Sequence, residues 1–182
     1  MIRALQLKLR TFQRDRRGVS AVEFALLSPL MIALYIGGVE ISDGIGIDRK
    51  VTLTAGALAN LSAQVSTISS SDMTDILKAS STIMSPYSTT PLKITVTCIA
   101  IDSSKNARVK WSEVSGGATK RSGTITLPSA LSVANTQLLL SEVSYDYKPI
   151  IGRTISGTLT LSDKMYMSPR ISAPTYGTTA CT

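Results

Sequence analysis

The strongest candidates for a chemical role in this chain are Gly18 and Glu23, which lie five positions apart near the N-terminus. Residues 19–38 form an apolar run of 20 residues that contains one charge, Glu23. At the centre of a membrane an acidic side chain costs about 3 kcal/mol, and less near the surface, so such a residue is a functional candidate. The alternative is that Glu23 lies just inside the lipid headgroups, where water solvates it.

Hydrolysis of the peptide bond after Gly18 would give Glu23 a partner. The cut would leave Val19 with a free amine, and positions 19 and 23 are one turn apart on the same face of a helix. The amine and the carboxylate could pair within one subunit or between neighbours, and each charge would offset the desolvation of the other. The spacing therefore predicts a charge pair at the start of a processed helix.

The positive charge of the chain is concentrated before this segment. The 182 residues hold 19 Lys and Arg against 12 Asp and Glu, a formal net charge of +7. Residues 1–18 contain six basic residues and one acidic residue, a net of +5, which leaves +2 for the rest. Because no basic stripe interleaved with aromatic residues follows, nucleic-acid binding is not predicted. Basic residues before an apolar span place the N-terminus in the cytoplasm and the remainder beyond the membrane.

Residues 19–41 are predicted to form a transmembrane helix, since about 20 helical residues rise roughly 30 Å, the thickness of the hydrocarbon core. A basic segment followed by an apolar span is compatible with three fates: a cleaved secretory signal, an uncleaved anchor, or a chain that is cut before the span. No Ala-x-Ala-like site follows Gly37 and Gly38, which argues against the secretory signal. The other two fates remain open at this point.

The residues around the predicted cut resemble the prepilin-peptidase site of type IV pilins, where a basic leader ends in Gly. In those proteins Glu occupies the fifth mature position and is often followed by Phe. Here the matching residues are Gly18, Glu23 and Phe24. The run 23–30 also resembles the start of TadE-like pseudopilins of tight-adherence (Flp) pilus systems, as do residues 142–149 and 168–170.

This resemblance implies a minor pilin or pseudopilin that takes part in pilus assembly. It implies a cut between Gly18 and Val19 by an inner-membrane aspartic prepilin peptidase, with Glu23 and Phe24 serving recognition and assembly. The implied partners are that peptidase, other pilins and pseudopilins, the inner-membrane pilus platform and the lipid bilayer. The chain would lie in the inner membrane and could enter an extracellular pilus. The alternative is a periplasmic binding or adhesin module on an uncleaved single-span anchor.

The helices and strands expected around these residues indicate an α+β, pilin-like fold. We expect a long kinked N-terminal helix, transmembrane in its first half, packed on a roughly four-stranded antiparallel sheet. Pro29 predicts the kink, because proline removes a helix hydrogen bond and clashes with the carbonyl of Ala25. Gly44 and Gly46 are expected to be further soft points of this helix.

Apolar spacings of three and four residues continue after the membrane segment. They are typical of a helix face that packs on a sheet or on another helix. The members of this stripe are Ile47, Val51, Thr54, Leu58, Leu61, Val65 and Ile68. Asp72 is expected to cap a second, short helix. The predicted regions are a cleaved leader (1–18), the transmembrane helix (19–41), the extension helix and second helix (42–85), a periplasmic β-rich domain (86–171) and an irregular tail (172–182).

The strands are predicted at 92–101, 108–114, 138–147 and 157–167, each bounded by turn residues. Cys98 lies on the apolar face of the first strand, and Cys181 is one residue from the end. Beyond the membrane a disulfide is permitted, and it would tie the tail to the sheet. The alternative is a buried free thiol beside a disordered C-terminus.

Composition also limits the chemistry that the chain could perform. The chain has no His, which excludes His-based acid–base catalysis and His metal sites. Its two cysteines are too far apart in sequence for a CxxC motif and too few for a zinc site. No enzymatic activity, cofactor or metal is therefore predicted.

Overall fold

The structure, a computed structural model, describes residues 18–149 and 157–182. The basic leader up to residue 17 lies outside them. The helices and strands of the described residues are α1 Val19–Ala63, β1 Thr67–Ile68, α2 Ser70–Met84, β2 Leu92–Ile101, β3 Ala107–Ser115, β4 Thr136–Tyr147, β5 Leu159–Met167 and β6 Thr175–Tyr176. The chain divides into two compact units between Ser42 and Asp43, and each unit is described by itself.

The described part of the first unit is the first half of α1. Its most apolar 18 residues have a mean hydropathy of 1.9, and none of this window is buried within the chain. Among the described residues, α1 alone is long and apolar enough to cross a membrane. The N-terminal helix therefore fits a single-span membrane anchor.

The second unit contains a four-stranded antiparallel sheet with the strand order β3-β2-β4-β5. Central strand β2 pairs with β4 over its full length, from Leu92 opposite Tyr145 to Ile101 opposite Thr136. The four strands of this sheet lie within two residues of their predicted bounds. Turn residues between apolar runs mark such strand ends locally, which explains the agreement.

The second half of α1 packs on one face of this sheet. Its buried residues Ile47, Val51, Ala55 and Leu58 join a single apolar cluster with alternating residues of β2 and β4. The sheet residues of the cluster include Leu92, Ile94, Val96, Cys98, Leu139 and Val143. Each large apolar side chain buried in this way contributes about 1.5–3 kcal/mol. The predicted α+β arrangement is confirmed, with the helical stripe facing the sheet.

The stripe ends earlier than the spacing predicted. Because α1 ends at Ala63, Val65 lies beyond the helix. The side chains of Leu61 and Val65 are 36% and 37% exposed, so neither belongs to the buried core. Ile68 is fully buried, but it reaches the core from β1. Strand β1 pairs in parallel with β6, so two residues of the tail that was expected to be irregular form a strand. This long-range pairing redirects the backbone after the helix.

A capping box starts α2, with Ser69 rather than Asp72 as the N-cap residue. The Ser69 hydroxyl accepts from the N–H of Asp72, and the carboxylate of Asp72 accepts from the N–H of Ser69 at 2.9 Å. The Ser69 hydroxyl also donates to the carboxylate of Asp72 at 2.7 Å. This side-chain bond, followed by the bond from the N–H of Ser69, holds the pKa of Asp72 below its usual value. At the other end of α2, Lys50 Nζ donates to the carbonyl of Ile83 at 2.8 Å and so links the two helices.

The opposite face of the sheet carries a second, smaller apolar cluster and an open groove. Segment 125–131 covers the cluster, which consists of Ile99, Ile101, Ala107, Leu138 and Leu140. The groove encloses about 960 Å³. Its cations are largely paired within the chain: Arg121 contacts Glu142, and Lys120 lies 2.7 Å from Glu113. These pairs fasten the loop after β3 across the sheet.

Candidate functional site

The predicted cut lies at an accessible end of α1. Gly18 directly precedes the helix and Val19 is its first residue, and both are exposed. A Cβ built on Gly18 would meet no atom within 4 Å, and the backbone there is not left-handed. The packing of the described chain therefore does not require glycine at this position.

Glu23 is a single carboxylate on an otherwise apolar surface. It lies one turn after Val19, and its side chain is exposed. No ion pair to Glu23 occurs within the described residues. Its neighbours Val22 and Phe24 are 61% and 69% exposed, so the surroundings are apolar without covering the carboxylate. In a membrane, this charge needs a partner that the described residues do not supply.

The exposed apolar surface around Phe24 extends around the whole helix. Leu30, Met31 and Ile32 are consecutive and are each more than half exposed, so their side chains point in three different directions around the axis. A helix that is apolar on every side belongs in a membrane or among other apolar helices. This surface is far larger than the apolar patches that monomeric soluble proteins leave open.

Pro29 is accommodated inside α1, which continues across it. Proline has no N–H, so the carbonyl oxygen of Ala25 loses its helical donor. The hydroxyl of Ser28 donates to that carbonyl oxygen at 3.5 Å. Membrane helices tolerate proline when a nearby Ser or Thr hydroxyl satisfies the freed carbonyl in this way. The bend expected at Pro29 stays a prediction.

The structure gives Gly44 and Gly46 a packing role. A Cβ at Gly46 would lie 2.5 Å from the hydroxyl oxygen of Tyr87, and a Cβ at Gly44 would lie 3.7 Å from the ring of Tyr147. Two tyrosines therefore approach α1 closely where its glycines leave room. Sequence reasoning did not single out Tyr87, because an approach between positions 46 and 87 depends on tertiary structure.

The C-terminal segment is fastened to the core. Cys98 and Cys181 form a disulfide, with their Cα atoms 6.0 Å apart, and both residues are fully buried. Trp111 Nε1 donates to the carbonyl of Pro174 at 3.1 Å. The ring of Trp111 also lies 5.6 Å, centre to centre, from that of Tyr176. The tail is therefore part of the fold and not a loose end.

The described residues offer little else with the geometry of a reactive site. None of their His, Cys, Asp and Glu side chains form a group of three or more that could hold a metal ion. Besides the groove on the sheet, a cavity of about 690 Å³ lies beside Tyr87 and Tyr145.

Comparison with known proteins points to the segment that contains the predicted cut. Residues 18–57 match the family described as TadE-like protein. No curated protein and no solved structure matches the chain. The matched segment begins at Gly18 and includes Glu23, Phe24 and Pro29. The resemblance noted at the N-terminal segment is confirmed, and this chain carries a TadE-like segment over residues 18–57, whereas the resemblance at residues 142–149 and 168–170 stays a prediction.

Proposed function

We propose that this chain is a minor pilin or pseudopilin that takes part in assembling a tight-adherence pilus. The observation that carries the proposal is the TadE-like match over residues 18–57, because that family suggests involvement in tight-adherence pilus systems. The uncovered apolar helix supports it, since such a surface must be covered by lipid or by other helices. The role is structural, as in other TadE-like pilins, and needs no cofactor.

Before assembly, the first half of α1 spans the inner membrane, with the N-terminus in the cytoplasm and the second unit in the periplasm. The basic residues that precede the span support this orientation. The disulfide between Cys98 and Cys181 supports an oxidising compartment for the second unit.

A prepilin peptidase hydrolyses the bond between Gly18 and Val19. Water supplies the hydroxyl that completes the carboxylate of Gly18 and the proton that completes the amine of Val19. Since the described chain leaves open space beside Gly18, the demand for glycine there comes from the peptidase, whose site must admit a backbone without a Cβ. The mature chain has 182 less 18 residues, or 164, and a formal net charge of +2.

The new amine of Val19 then neutralises Glu23, in the same chain or in a neighbour. Val19 and Glu23 are one turn apart on an exposed surface, so both geometries are accessible. The pair removes most of the cost of about 3 kcal/mol that an isolated carboxylate would pay in the membrane. Neutralisation lets helices enter a bundle at defined positions along their length.

Processing is tested by identifying the N-terminal peptide in cells that contain an active prepilin peptidase. Wild type should begin at Val19, whereas Gly18→Val should keep residues 1–18. Gly38→Val is the matched control, because a Cβ at Gly38 also meets no atom within 4 Å, and it should be cut normally. An intact leader on wild type would reject processing and favour an uncleaved anchor that carries a binding or adhesin module.

The pairing role is tested with Glu23→Gln, which keeps the shape of the side chain and removes its charge. This variant should be cut between Gly18 and Val19 but should assemble few pili. Asp48→Asn, an exposed carboxylate on the same helix, serves as the control and should assemble normally. Normal piliation by Glu23→Gln would contradict the pairing.

A further inference from the structure

The cavity beside Tyr87 has the composition of a ligand site that the assembly role does not use. It encloses about 690 Å³, which is within the range of small-molecule sites. Its wall contains three tyrosines, Tyr87, Tyr145 and Tyr147, and two carboxylates, Asp43 and Asp146. The other lining residues among those that the structure describes are Ile47, Ser88, Thr90, Pro91, Lys148 and Thr158.

The two carboxylates of this cavity have different surroundings. Asp146 accepts from Lys93 Nζ and from the hydroxyl of Thr160, both at 2.8 Å. The bond from Lys93, followed by that from Thr160, holds the pKa of Asp146 below its usual value. Asp43 is half-buried and has no ion pair within the described residues. Within the part of the chain that the structure describes, the carboxylate of Asp43 is thus the one in this cavity without a cationic partner.

The tyrosines favour a positively charged ligand group over a negative one. The face of a tyrosine ring attracts a cation within about 6 Å of its centre. Burial raises the pKa of Tyr145, so its hydroxyl stays neutral. The hydroxyls of Tyr87, Ser88 and Thr90 can accept hydrogen bonds at the same place. A primary ammonium group, which has three N–H donors, uses these acceptors, whereas a quaternary ammonium cannot.

One lining residue of the cavity, Asp43, comes directly after the apolar segment of α1 in sequence. Asp43 follows Ile41 by two residues along one continuous helix, a rise of about 3 Å. If residues 19–41 cross the bilayer, Asp43 is at the level of the lipid headgroups. Lys148, an exposed lining residue, offers a cation for a phosphate at the cavity rim. An ammonium beside a phosphate is the chemistry of an aminophospholipid headgroup.

We propose that this cavity binds the headgroup of phosphatidylethanolamine, with the ammonium at Asp43 and the tyrosines and the phosphate at Lys148. The inference rests on the membrane anchor of the proposed function and does not depend on the cut after Gly18. The chain must release this lipid when it leaves the membrane for a filament.

Lipid selectivity tests the proposal with the full chain in nanodiscs that contain equal parts of phosphatidylethanolamine, phosphatidylcholine and phosphatidylglycerol. After extraction into mild detergent, native mass spectrometry identifies the lipids that remain bound. We expect phosphatidylethanolamine to be retained about fivefold or more over either other lipid, as one ammonium site on carboxylate and aromatic groups allows. Equal retention of the three lipids would overturn the proposal.

Two variants test whether the lipid preference comes from the cavity or from the rest of the helix surface. Asp43→Asn should lose the preference, while Asp48→Asn, which lies outside the cavity on the same helix, should keep it. Unchanged selectivity in Asp43→Asn would refute the site. Tryptophan fluorescence verifies that both variants are folded. If Asp43→Asn does not fold, Lys148→Met at the exposed rim replaces it. Because all three lipids carry a phosphate, this variant should lower the retention of each, and unchanged retention of phosphatidylethanolamine would refute the site.

A soluble headgroup distinguishes the source of the ligand. Glycerophosphoethanolamine at the same concentration should bind at least about tenfold more weakly than the lipid, because it lacks the acyl chains that anchor a headgroup beside the helix. Equal binding would overturn the lipid as the occupant. The lipid assay is repeated with Gly18→Val, which should keep residues 1–18, to show that lipid binding does not depend on processing. The lipid proposal and the processing proposal can therefore each fail without the other.

Discussion

Removal of the disulfide between Cys98 and Cys181 should lower the free energy of unfolding of the second unit by about 3–4 kcal/mol. The two residues are 83 positions apart. Closing a loop of that length lowers the entropy of the unfolded chain, which corresponds to about 4.5 kcal/mol at 25 °C. Native disulfides commonly contribute about 2–4 kcal/mol, so the loop-closure value is an upper figure.

The substitutions are Cys98→Ala, Cys181→Ala and the double variant. Each single substitution breaks the same bond, so their costs should not add. Because both residues are fully buried, each substitution also loses some packing, on the order of 1 kcal/mol. The double variant should therefore be only about 1 kcal/mol less stable than either single variant.

Trp111 gives the assay a local signal, because it is the single tryptophan of the chain and contacts the C-terminal segment at Pro174 and Tyr176. Urea unfolding of the full chain in detergent micelles, followed by tryptophan fluorescence, gives the free energy of unfolding. Reductant should shift wild type toward the variants and should leave the variants unchanged. Equal urea midpoints for wild type and the double variant, or additive single costs, would refute the reasoning.

The remaining predictions use the same unfolding assay. Gly56→Ala, whose Cβ would be 4.0 Å from its nearest neighbour, should stabilise the chain by about 0.5–1 kcal/mol. Gly46→Ala has the same gain in helix propensity but must displace the Tyr87 hydroxyl, so it should be less stable than Gly56→Ala by about 1 kcal/mol. Equal effects would contradict the close tyrosine contact. Lys50→Met should lower the free energy of unfolding by about 1–2 kcal/mol, because it removes a partly buried charged hydrogen bond. Lys78→Met is the control: its ion pair is largely exposed, so it should lower the free energy of unfolding by less than about 0.5 kcal/mol. The backbone N–H of Asn106, followed by the side-chain amide of Asn106, holds the pKa of Asp102 below its usual 3.8. The contribution of Asp102 to the free energy of unfolding is therefore present above pH 3.8 and is lost as the pH falls through the lowered pKa. Asp102→Asn should therefore lose less stability than wild type between neutral pH and acid, and parallel pH profiles would contradict this.

Much of the fold could be predicted because its signals are local. Alternation in β2 placed Leu92, Ile94, Val96 and Cys98 on one face, and the structure buries all four against α1. The end of α1 at Ala63 could not be predicted in the same way. It depends on the pairing of β1 with β6, whose residues are more than 100 positions apart, and no local pattern reports such a contact.

The same distinction between local sequence patterns and long-range contacts applies to the candidate site. Gly18, Glu23 and Pro29 could be recognised because their meaning lies in their order along one segment, which is also the segment that matches TadE-like proteins. The cavity could not be predicted, because Asp43 and Tyr87 come from distant parts of the chain. In sequence, Asp43 is indistinguishable from an ordinary solvated helix charge.

The intact mass of the protein from cells with an active prepilin peptidase shows whether the chain is cut after Gly18. Cutting between Gly18 and Val19 predicts a 164-residue chain, 182 less 18, whose first residue is Val19 with a free amine for Glu23. The mass of the full 182-residue chain under those conditions would contradict processing, and with it the proposed pairing of Val19 with Glu23.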